Sequence, residues 1–389
     1  MERPIYLDYN ATTPVDPSVL ESMLPYLRED FGNPSSTEHA YGWQASQAVE
    51  KARVACAQLL GAEARTIVFT SGATEANNLA LFGVMRLALS QNKSTEAKNN
   101  RPHLITTAVE HKAVLDVAHQ AEKEGAEVTY LPVDADGRVS ADQVRKALRP
   151  TTRLVSVMFG QNEIGSINPI GEIGAILPDD VIFHVDAAQA AGRVPIDVNA
   201  LNIDLLSVSG HKLYAPKGVG FLYVRQNIEL LPLQFGGGQE HGVRPGTLNV
   251  PGVVGLGVAC DICQREMTSE TERLRLLRDQ FIDRVLNAIP TAHLNGHRRE
   301  RLVSNISFSF SELSADAFAF SLSGLAVSAG SACSQGAPSH VLAAIGLPTA
   351  RARATIRFGI GRFTKENDLN VALAKILEMV RESAARQQN

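Results

Sequence analysis

Leu205-Leu206-Ser207-Val208-Ser209-Gly210-His211-Lys212-Leu213-Tyr214 runs on into Ala215-Pro216-Lys217-Gly218-Val219-Gly220-Phe221-Leu222-Tyr223-Val224. Two apolar runs flank a small polar turn. Short apolar runs bounded by glycine and proline read as strands buried on both faces. Lys212 therefore stands on a turn between two buried strands. Burial disfavours the ammonium form and frees the amine as a nucleophile toward carbonyls. Taken alone, an ordinary loop lysine beside a structural glycine is the commoner reading. The rest of the chain has to decide between the two.

Upstream, strand-like and helix-like stretches alternate. Strands are expected at 66–70, 103–107, 127–131, 154–158 and 181–185, and helices at 39–60, from 73 to about 89, 113–124 and 141–148. Continuous apolar strands alternating with helices predict a mostly parallel sheet covered on both sides. In such sheets ligands collect beyond the carboxyl ends of the strands. Just past those ends stand Thr74, then Glu110-His111, then Gln161-Asn162-Glu163, then Asp186-Ala187-Ala188-Gln189, then Ser209-Gly210-His211-Lys212. A single Asp or His is usually structural, but polar groups delivered by successive strands to one edge argue for a site. Ser71-Gly72-Ala73-Thr74 joins a strand to a helix start, where free backbone N–H groups and a positive dipole end attract an anion. The turn matches neither a Walker loop nor a dinucleotide fingerprint, and an ordinary capped helix is the alternative.

The N-terminal stretch 7–14 reads as a loop. Asp16-Pro17 then caps a helix over 18–28. Phe31-Gly32-Asn33-Pro34-Ser35-Ser36 is turn-rich and either binds a ligand or connects elements. The glycine-heavy stretch 235–247, with Glu240, His241, Arg244 and Thr247, is a linker or a binding loop. A long helix over 253–288 leads into a smaller second domain. Strands are expected there at 303–310 and 354–357, and helices at 315–322, 340–345 and 365–385.

With 389 residues, 44% of them hydrophobic, the chain can bury the cores of two domains. Its net charge of −4 and the absence of a basic block speak against nucleic acid as a partner. No apolar run is long enough for a bilayer, and the first residues lack a signal-peptide pattern. A cytoplasmic setting is expected, with reduced thiols. Of the four cysteines, Cys260 and Cys263 form a C-x-x-C pair on one helix face, where free cysteine packs as a small hydrophobe. Cys333 lies among small residues and glycines, in Gly330-Ser331-Ala332-Cys333-Ser334-Gln335-Gly336. Either it is an inert thiol, or it is an accessible and reactive one.

Pyridoxal phosphate asks for a Schiff-base lysine, an acid at the pyridine nitrogen, a phosphate cradle and a flat group on the ring. Lys212 is the candidate lysine and Asp186 the acid. Ser71, Gly72, Ala73 and Thr74 with Ser209 and His211 form the candidate cradle, and His111 is the ring partner. Asn162 and Gln189 can bond the phenolic oxygen. Arg357 can hold an amino acid's carboxylate with a bidentate fork.

Taken together these stretches resemble the NifS/IscS type of cysteine desulfurase, in the class V aminotransferase superfamily. The stretches that carry the likeness are Tyr6-Leu7-Asp8-Tyr9-Asn10-Ala11-Thr12-Thr13-Pro14, Phe31-Gly32-Asn33-Pro34-Ser35-Ser36, Phe69-Thr70-Ser71-Gly72-Ala73-Thr74-Glu75 and Glu110-His111-Lys112. It continues through Asn162-Glu163-Ile164-Gly165, His184-Val185-Asp186-Ala187-Ala188-Gln189, Ser207-Val208-Ser209-Gly210-His211-Lys212, Gly330-Ser331-Ala332-Cys333 and Ile356-Arg357-Phe358. The resemblance implies the fold type I of pyridoxal-phosphate transferases. A large domain with a mostly parallel seven-stranded sheet would cover 1–250, its residues 1–20 partly joining a smaller α+β domain over 251–389. It implies that L-cysteine is converted to alanine and a persulfide on Cys333, with Lys212 and His111 moving protons. Asn33 and Arg357 would hold the substrate carboxylate. Thr247 would reach the cofactor phosphate of a neighbouring subunit, making the enzyme a homodimer. The sulfur would pass to an iron–sulfur scaffold or a persulfide carrier. No metal is implied as a catalytic ligand, Cys333 meeting only an iron–sulfur cluster in transfer.

Gln239 and His241 stand where many such enzymes carry histidine and arginine. Only Ser334-Gln335-Gly336-Ala337 separates Cys333 from Pro338, and the chain ends at Asn389 without a scaffold-recruiting tail. A restricted or different sulfur acceptor is the expectation. The rival readings are a selenocysteine lyase, a small-amino-acid aminotransferase that would not need Cys333, and a cofactor-free scaffold protein.

Overall fold

The structure is a computed structural model that describes residues 3–91, 100–310, 324–329 and 339–387. Its strands are β1 (Ile5–Tyr6), β2 (Ile67–Thr70), β3 (His103–Thr107), β4 (Glu127–Leu131), β5 (Thr152–Met158), β6 (Ile182–Asp186), β7 (Leu205–Ser209), β8 (Gly220–Val224), β9 (Ala292–Leu294), β10 (Asn305–Phe310), β11 (Leu325–Ala326), β12 (Ser328–Ala329) and β13 (Thr355–Gly359).

Seven of them form one sheet in the order β2-β8-β7-β6-β5-β3-β4. Every pairing is parallel except those of β8, which runs antiparallel to both neighbours. The alternation along each strand explains the continuous apolar runs. Val68, Leu104, Leu154, Leu205 and Leu222 face the helices Ala73–Gln91 and Lys112–Lys123. Phe69, Ile105, Val155, Leu206 and Phe221 face the other side, against Ala40–Gln58 and the start of Val250–Ala288. Both faces are buried, so no position along the strand needs to be polar until its end.

The second sheet is antiparallel, in the order β12-β13-β10-β9. The helix Val250–Ala288 joins the two. Its 39 residues span about 58 Å. Val253, Leu256, Ala259 and Cys260 belong to the first core. Leu274, Phe281, Ile282 and Val285 belong to the second, with Leu369, Ala372 and Ile376 of the helix Glu366–Gln387. The N-terminus also reaches the second core. β1 pairs in parallel with β11, and Leu7 packs among Ile306, Ile356 and Phe358.

The helix expected over 18–28 is two, Pro17–Met23 and Pro25–Arg28. Pro25 brings no N–H to continue the ladder, and it takes a first-turn position where none is needed. β1, β9, β11, β12 and the helices Ile170–Gly174 and Thr349–Arg353 carry no periodic signal of their own, being two to five residues long. The expected helix 315–322 lies outside the described residues. Among the described residues no helix is long and apolar enough to cross a membrane.

Candidate active site

β7 ends at Ser209, and Gly210–Lys212 closes one 3-10 turn. A Cβ on Gly210 would meet the Val219 carbonyl at 2.9 Å, so glycine is required where β8 crosses the turn. The turn carries Lys212 into a cavity of about 890 Å³. Its Nζ donates to the carbonyls of Asn10 at 2.5 Å and Ala11 at 2.7 Å. Burial pulls the Lys212 ammonium down to about 7. The Arg357 and Arg193 guanidiniums act in the same direction, and Asp8 and Asp186 oppose them. A substantial fraction of this amine is therefore neutral near pH 7. His211 beside it bonds Thr12 Oγ1 through Nδ1 at 3.0 Å, and burial, with Lys212 and Lys217, holds the ring down at about 4.

Asp186 ends β6, buried, and its carboxylate is fixed at both oxygens. Oδ1 accepts from the Ala188 N–H at 2.9 Å and Oδ2 from Asn77 Nδ2 at 2.8 Å. Asn77 was not singled out from the sequence. The signal was an amide, one turn into the helix Ala73–Gln91, among Ala76, Leu79 and Ala80 on the buried face. Gln189 lines the cavity but exchanges side-chain bonds with Asn10, donating to its carbonyl at 3.0 Å.

The turn after β2 brings Ser71, Gly72, Ala73 and Thr74 to the same cavity, with the N-terminus of the helix Ala73–Gln91. Gly72 has φ +147°, and a Cβ there would approach Ser209 Oγ at 3.5 Å. A Cβ on Gly220 would lie 2.7 Å from Gly72 Cα, so the turn sits directly on β8. The Ser71 N–H donates to Glu75 Oε2 at 2.6 Å, and Glu75 pairs with Arg244 at 2.8 Å. Burial would raise the Glu75 carboxyl, but the bonds from Arg244 and Ser71 hold it below its ordinary value.

His111 caps the helix Lys112–Lys123. Its Nδ1 accepts from the Ala113 N–H at 3.1 Å, which orients the ring at the cavity wall. Glu110, next to it, is fully buried. Its Oε1 accepts from Thr107 Oγ1 at 2.8 Å and from the Met158 N–H at 2.9 Å, while Oε2 has no partner among the described residues. Burial, with Asp186 adding to it, pushes this acid up to about 8.

The second sheet closes the cavity. Arg357 on β13 donates through Nη1 to the Asn162 carbonyl at 3.1 Å, and through Nη2 to Asp8 Oδ1 and Ser328 Oγ, each at 2.8 Å. Asn162, past β5, also accepts at its carbonyl from Asn305 Nδ2 at 3.0 Å. Lys212, Asp186, Gln189, Asn162, His111, Ser209, His211, Arg357 and the 71–74 turn thus share one cavity.

Asn33 is not on the cavity wall, and Thr247, expected at a neighbouring subunit's cavity, is not on this one. Asn33 is exposed and turns its Oδ1 onto the Ser35 N–H at 2.9 Å, closing its own turn. Thr247 is exposed and is not part of the cavity wall. Cys333 lies outside the described residues, although Ser328 and Ser339, on either side of it in sequence, both line the cavity. Cys56, Cys260 and Cys263 are buried, with the Cys260 and Cys56 sulfurs 3.7 Å apart. Burial pushes the Cys263 thiol up to about 12. These three sit in the first core, packed as hydrophobes.

A lysine amine whose charged form burial disfavours, a fixed carboxylate, a helix N-terminus with hydroxyls, and a guanidinium facing each other across one cavity suit a phosphate-bearing aldehyde and an amino acid. The comparisons point the same way. The model of the aminotransferase class-V family matches residues 5–371. A cysteine desulfurase IscS of Rickettsia rickettsii (strain Iowa) is 45% identical over 382 residues, covering 97% of this chain and 91% of the relative. A solved structure described as a NifS-like protein superposes with TM-score 0.86 at 34% identity, covering 97% of this chain and 99% of the other. Another, described as SspA in complex with cysteine, gives TM-score 0.80 at 40% identity, covering 92% and 99%. The sequence match along nearly the whole chain and the shared cavity agree: the chain belongs to the aminotransferase class-V family.

Proposed function

We propose that the chain is a pyridoxal-phosphate-dependent cysteine desulfurase, taking the sulfur of L-cysteine onto Cys333 as a persulfide and releasing alanine. The observation that carries the reading is the convergence of Lys212, Asp186, the 71–74 turn and Arg357 on one cavity, in a chain 45% identical to a relative named a cysteine desulfurase. The residues fit the cofactor. Lys212 offers an amine whose charged form burial disfavours, Asp186 a carboxylate already fixed by Asn77, and the N-terminus of the helix Ala73–Gln91 an anion cradle. When bound, pyridoxal phosphate supplies an electron sink that makes the α-proton of an amino acid removable.

Lys212 Nζ would bind the aldehyde carbon and, once released by substrate, hold and pass a proton. Asp186 would keep a proton on the ring nitrogen, and the His111 ring, oriented by the Ala113 N–H, would cover the ring face. Ser209, His211 and Thr74 would complete the phosphate site, with Asn162 and Gln189 on the phenolic side. Arg357 would hold the substrate carboxylate. Cys333, as thiolate, would take the sulfur atom of the substrate.

Thr247, exposed and away from this cavity, is read as serving the cavity of a second copy in a homodimer. A cytoplasmic setting, where thiols stay reduced, suits a cysteine nucleophile. The sulfur would serve an iron–sulfur scaffold or a persulfide carrier. Purified protein given pyridoxal phosphate and L-cysteine should release alanine and sulfide in the presence of a reductant, and Cys333→Ser should lose that turnover while still binding the cofactor. A Cys333→Ser enzyme that still desulfurates cysteine would refute the persulfide route.

A further inference from the structure

Arg357 is already engaged. Its Nη2 gives both its hydrogens, to Asp8 Oδ1 and to Ser328 Oγ at 2.8 Å each, and Ser328 Oγ itself donates to Asp8 Oδ1 at 2.8 Å. Nη1 donates to the Asn162 carbonyl, and Nε is buried without a partner among the described residues. A carboxylate binds a guanidinium best through two parallel N–H donors. Here one prong of the fork is held by a carboxylate that belongs to the chain. Asp8 and Arg357 both line the cavity, with side chains only 18% and 12% exposed, so solvent screens their charges weakly.

We propose that Asp8 is a specificity-determining residue. It competes for the Arg357 fork and repels any ligand that offers a carboxylate without a compensating ammonium group. The inference rests on the reading of Arg357 as the carboxylate site. A simple carboxylate entering the cavity adds a negative charge to a neutral Asp8–Arg357 pair and must also displace or share the Nη2 bond. An α-amino acid brings its own positive charge next to Asp8, which offsets that repulsion. Asp8 therefore weakens binding of both kinds of ligand through competition, but weakens the non-amino acid more. Its position explains how it gets there. β1 pairs with β11, and Asp8 bridges to Gly359, so the N-terminal strand is pinned beside β13 with its carboxylate against Arg357.

The test is direct binding of 3-mercaptopropionate, which is cysteine without the amino group, to the cofactor-loaded enzyme by calorimetry, alongside KM for L-cysteine. Asp8→Asn should bind 3-mercaptopropionate about tenfold more tightly, the effect of one charge-assisted competitor removed. KM for cysteine should change by a smaller factor, so that the discrimination between the two narrows. Ser328→Ala frees the other Nη2 hydrogen but keeps the Asp8 charge, and should give a gain of about two- to threefold. Asp8→Ser, which likewise removes the Asp8 charge, serves as the independent reading if Asp8→Asn does not accumulate folded.

Arg357→Gln separates the role of Asp8 from the carboxylate site itself. Loss of binding of both ligands in Arg357→Gln, with unchanged discrimination in Asp8→Asn or Asp8→Ser, would overturn the role of Asp8 alone. Undiminished binding in Arg357→Gln would overturn the carboxylate site and the role of Asp8 with it.

Discussion

The lysine amine is the residue on which the chemistry turns, and its environment makes two testable statements. Lys212→Ala should retain the fold but lose cysteine turnover by at least about a thousandfold, because the covalent anchor and the proton carrier are the same atom. In the wild type, the rate at which cofactor-free protein takes up pyridoxal phosphate should rise as pH passes through about 7. The neutral fraction of Lys212 grows with pH, and its ammonium is depressed to that value. Absorbance of the bound cofactor would follow both. Glu110 offers a stability test with the opposite dependence. Its folded-state acid sits at about 8 and its ordinary value is 4.5, so the fold keeps a proton that the unfolded chain gives up between those values. Stability is therefore lost as pH rises through that window. Glu110→Gln keeps the acceptor for Thr107 and Met158 and removes the titration. It should stabilise the protein by about 2 kcal/mol at pH 8 and by little at pH 4, read from thermal unfolding at the two values.

Lys212, Asp186, His111 and the 71–74 turn were legible because each follows an apolar strand directly, and strand ends in a parallel sheet share an edge. Asn77 is a buried partner of Asp186 rather than a member of a motif, so only the fold brings it into view; Glu110 stands in a quoted stretch, but its buried bonds to Thr107 and Met158 are likewise set by the fold. Asp8 was quoted within a matching stretch, but its pairing with Arg357 joins residues 349 apart.

At the scale of elements, the glycine-heavy stretch 235–247 is the clearest case of a structure the sequence leaves open. It is not slack, and it holds one 3-10 turn, Glu240–Gly242. Glu240 is buried and accepts from both Arg53 Nη atoms at 2.8 Å and from the Phe69 N–H at 2.7 Å. Arg53 also donates to the Ile67 carbonyl. Glu240 and His241 are held at φ +47° and +58°, a conformation side chains rarely adopt, which the buried ion pair pins in place. Arg244 then reaches Glu75, which takes the first N–H of the 71–74 turn. The loop is thus locked to the candidate phosphate cradle by charges contributed from the helix Ala40–Gln58 and from Glu75 in the first turn of the helix Ala73–Gln91. Arg53→Met would leave the Glu240 carboxylate buried without its cation. It should cost about 3–5 kcal/mol, seen as a fall in urea or thermal midpoint. A cost under 1 kcal/mol would show that the loop does not depend on the pair. A strand or a helix announces itself over a few neighbouring residues; this loop depends on a partner 187 positions away.

At the scale of the molecule, two cores share one site. Lys212, Asp186 and Asn162 come from the seven-stranded sheet, while Arg357 and Ser328 come from the small one. Their relation is set by the long helix, by the N-terminal strand and by a buried cation. Arg301 lies 2% exposed, and its guanidinium donates to the carbonyls of Ile164, Asn295 and His297. Burial, with Arg278 and Arg298 nearby, pulls it down to about 9. Ile164 belongs to the loop of Asn162, and Asn295 and His297 to the segment before β10, so one side chain ties the site loop to the small sheet. Arg301→Leu would orphan those carbonyls and should cost at least about 3 kcal/mol, with a rise in KM for cysteine as Asn162 and Arg357 lose their common frame. The alternation of strands and helices foretold the first sheet. Short strands such as β9 and β12 hold too few residues to show a period, which is why the second sheet was only half legible.

Desulfuration through Cys333 is decided by where the sulfur goes. Enzyme loaded with pyridoxal phosphate is mixed with one equivalent of L-cysteine without reductant, quenched, digested and read by mass spectrometry while alanine is counted. The expected result is a gain of one sulfur atom on the peptide carrying Cys333, matched by an equal amount of alanine and absent from Cys333→Ser. Alanine released without any sulfur gain at Cys333, or sulfur gained at another cysteine instead, would contradict it.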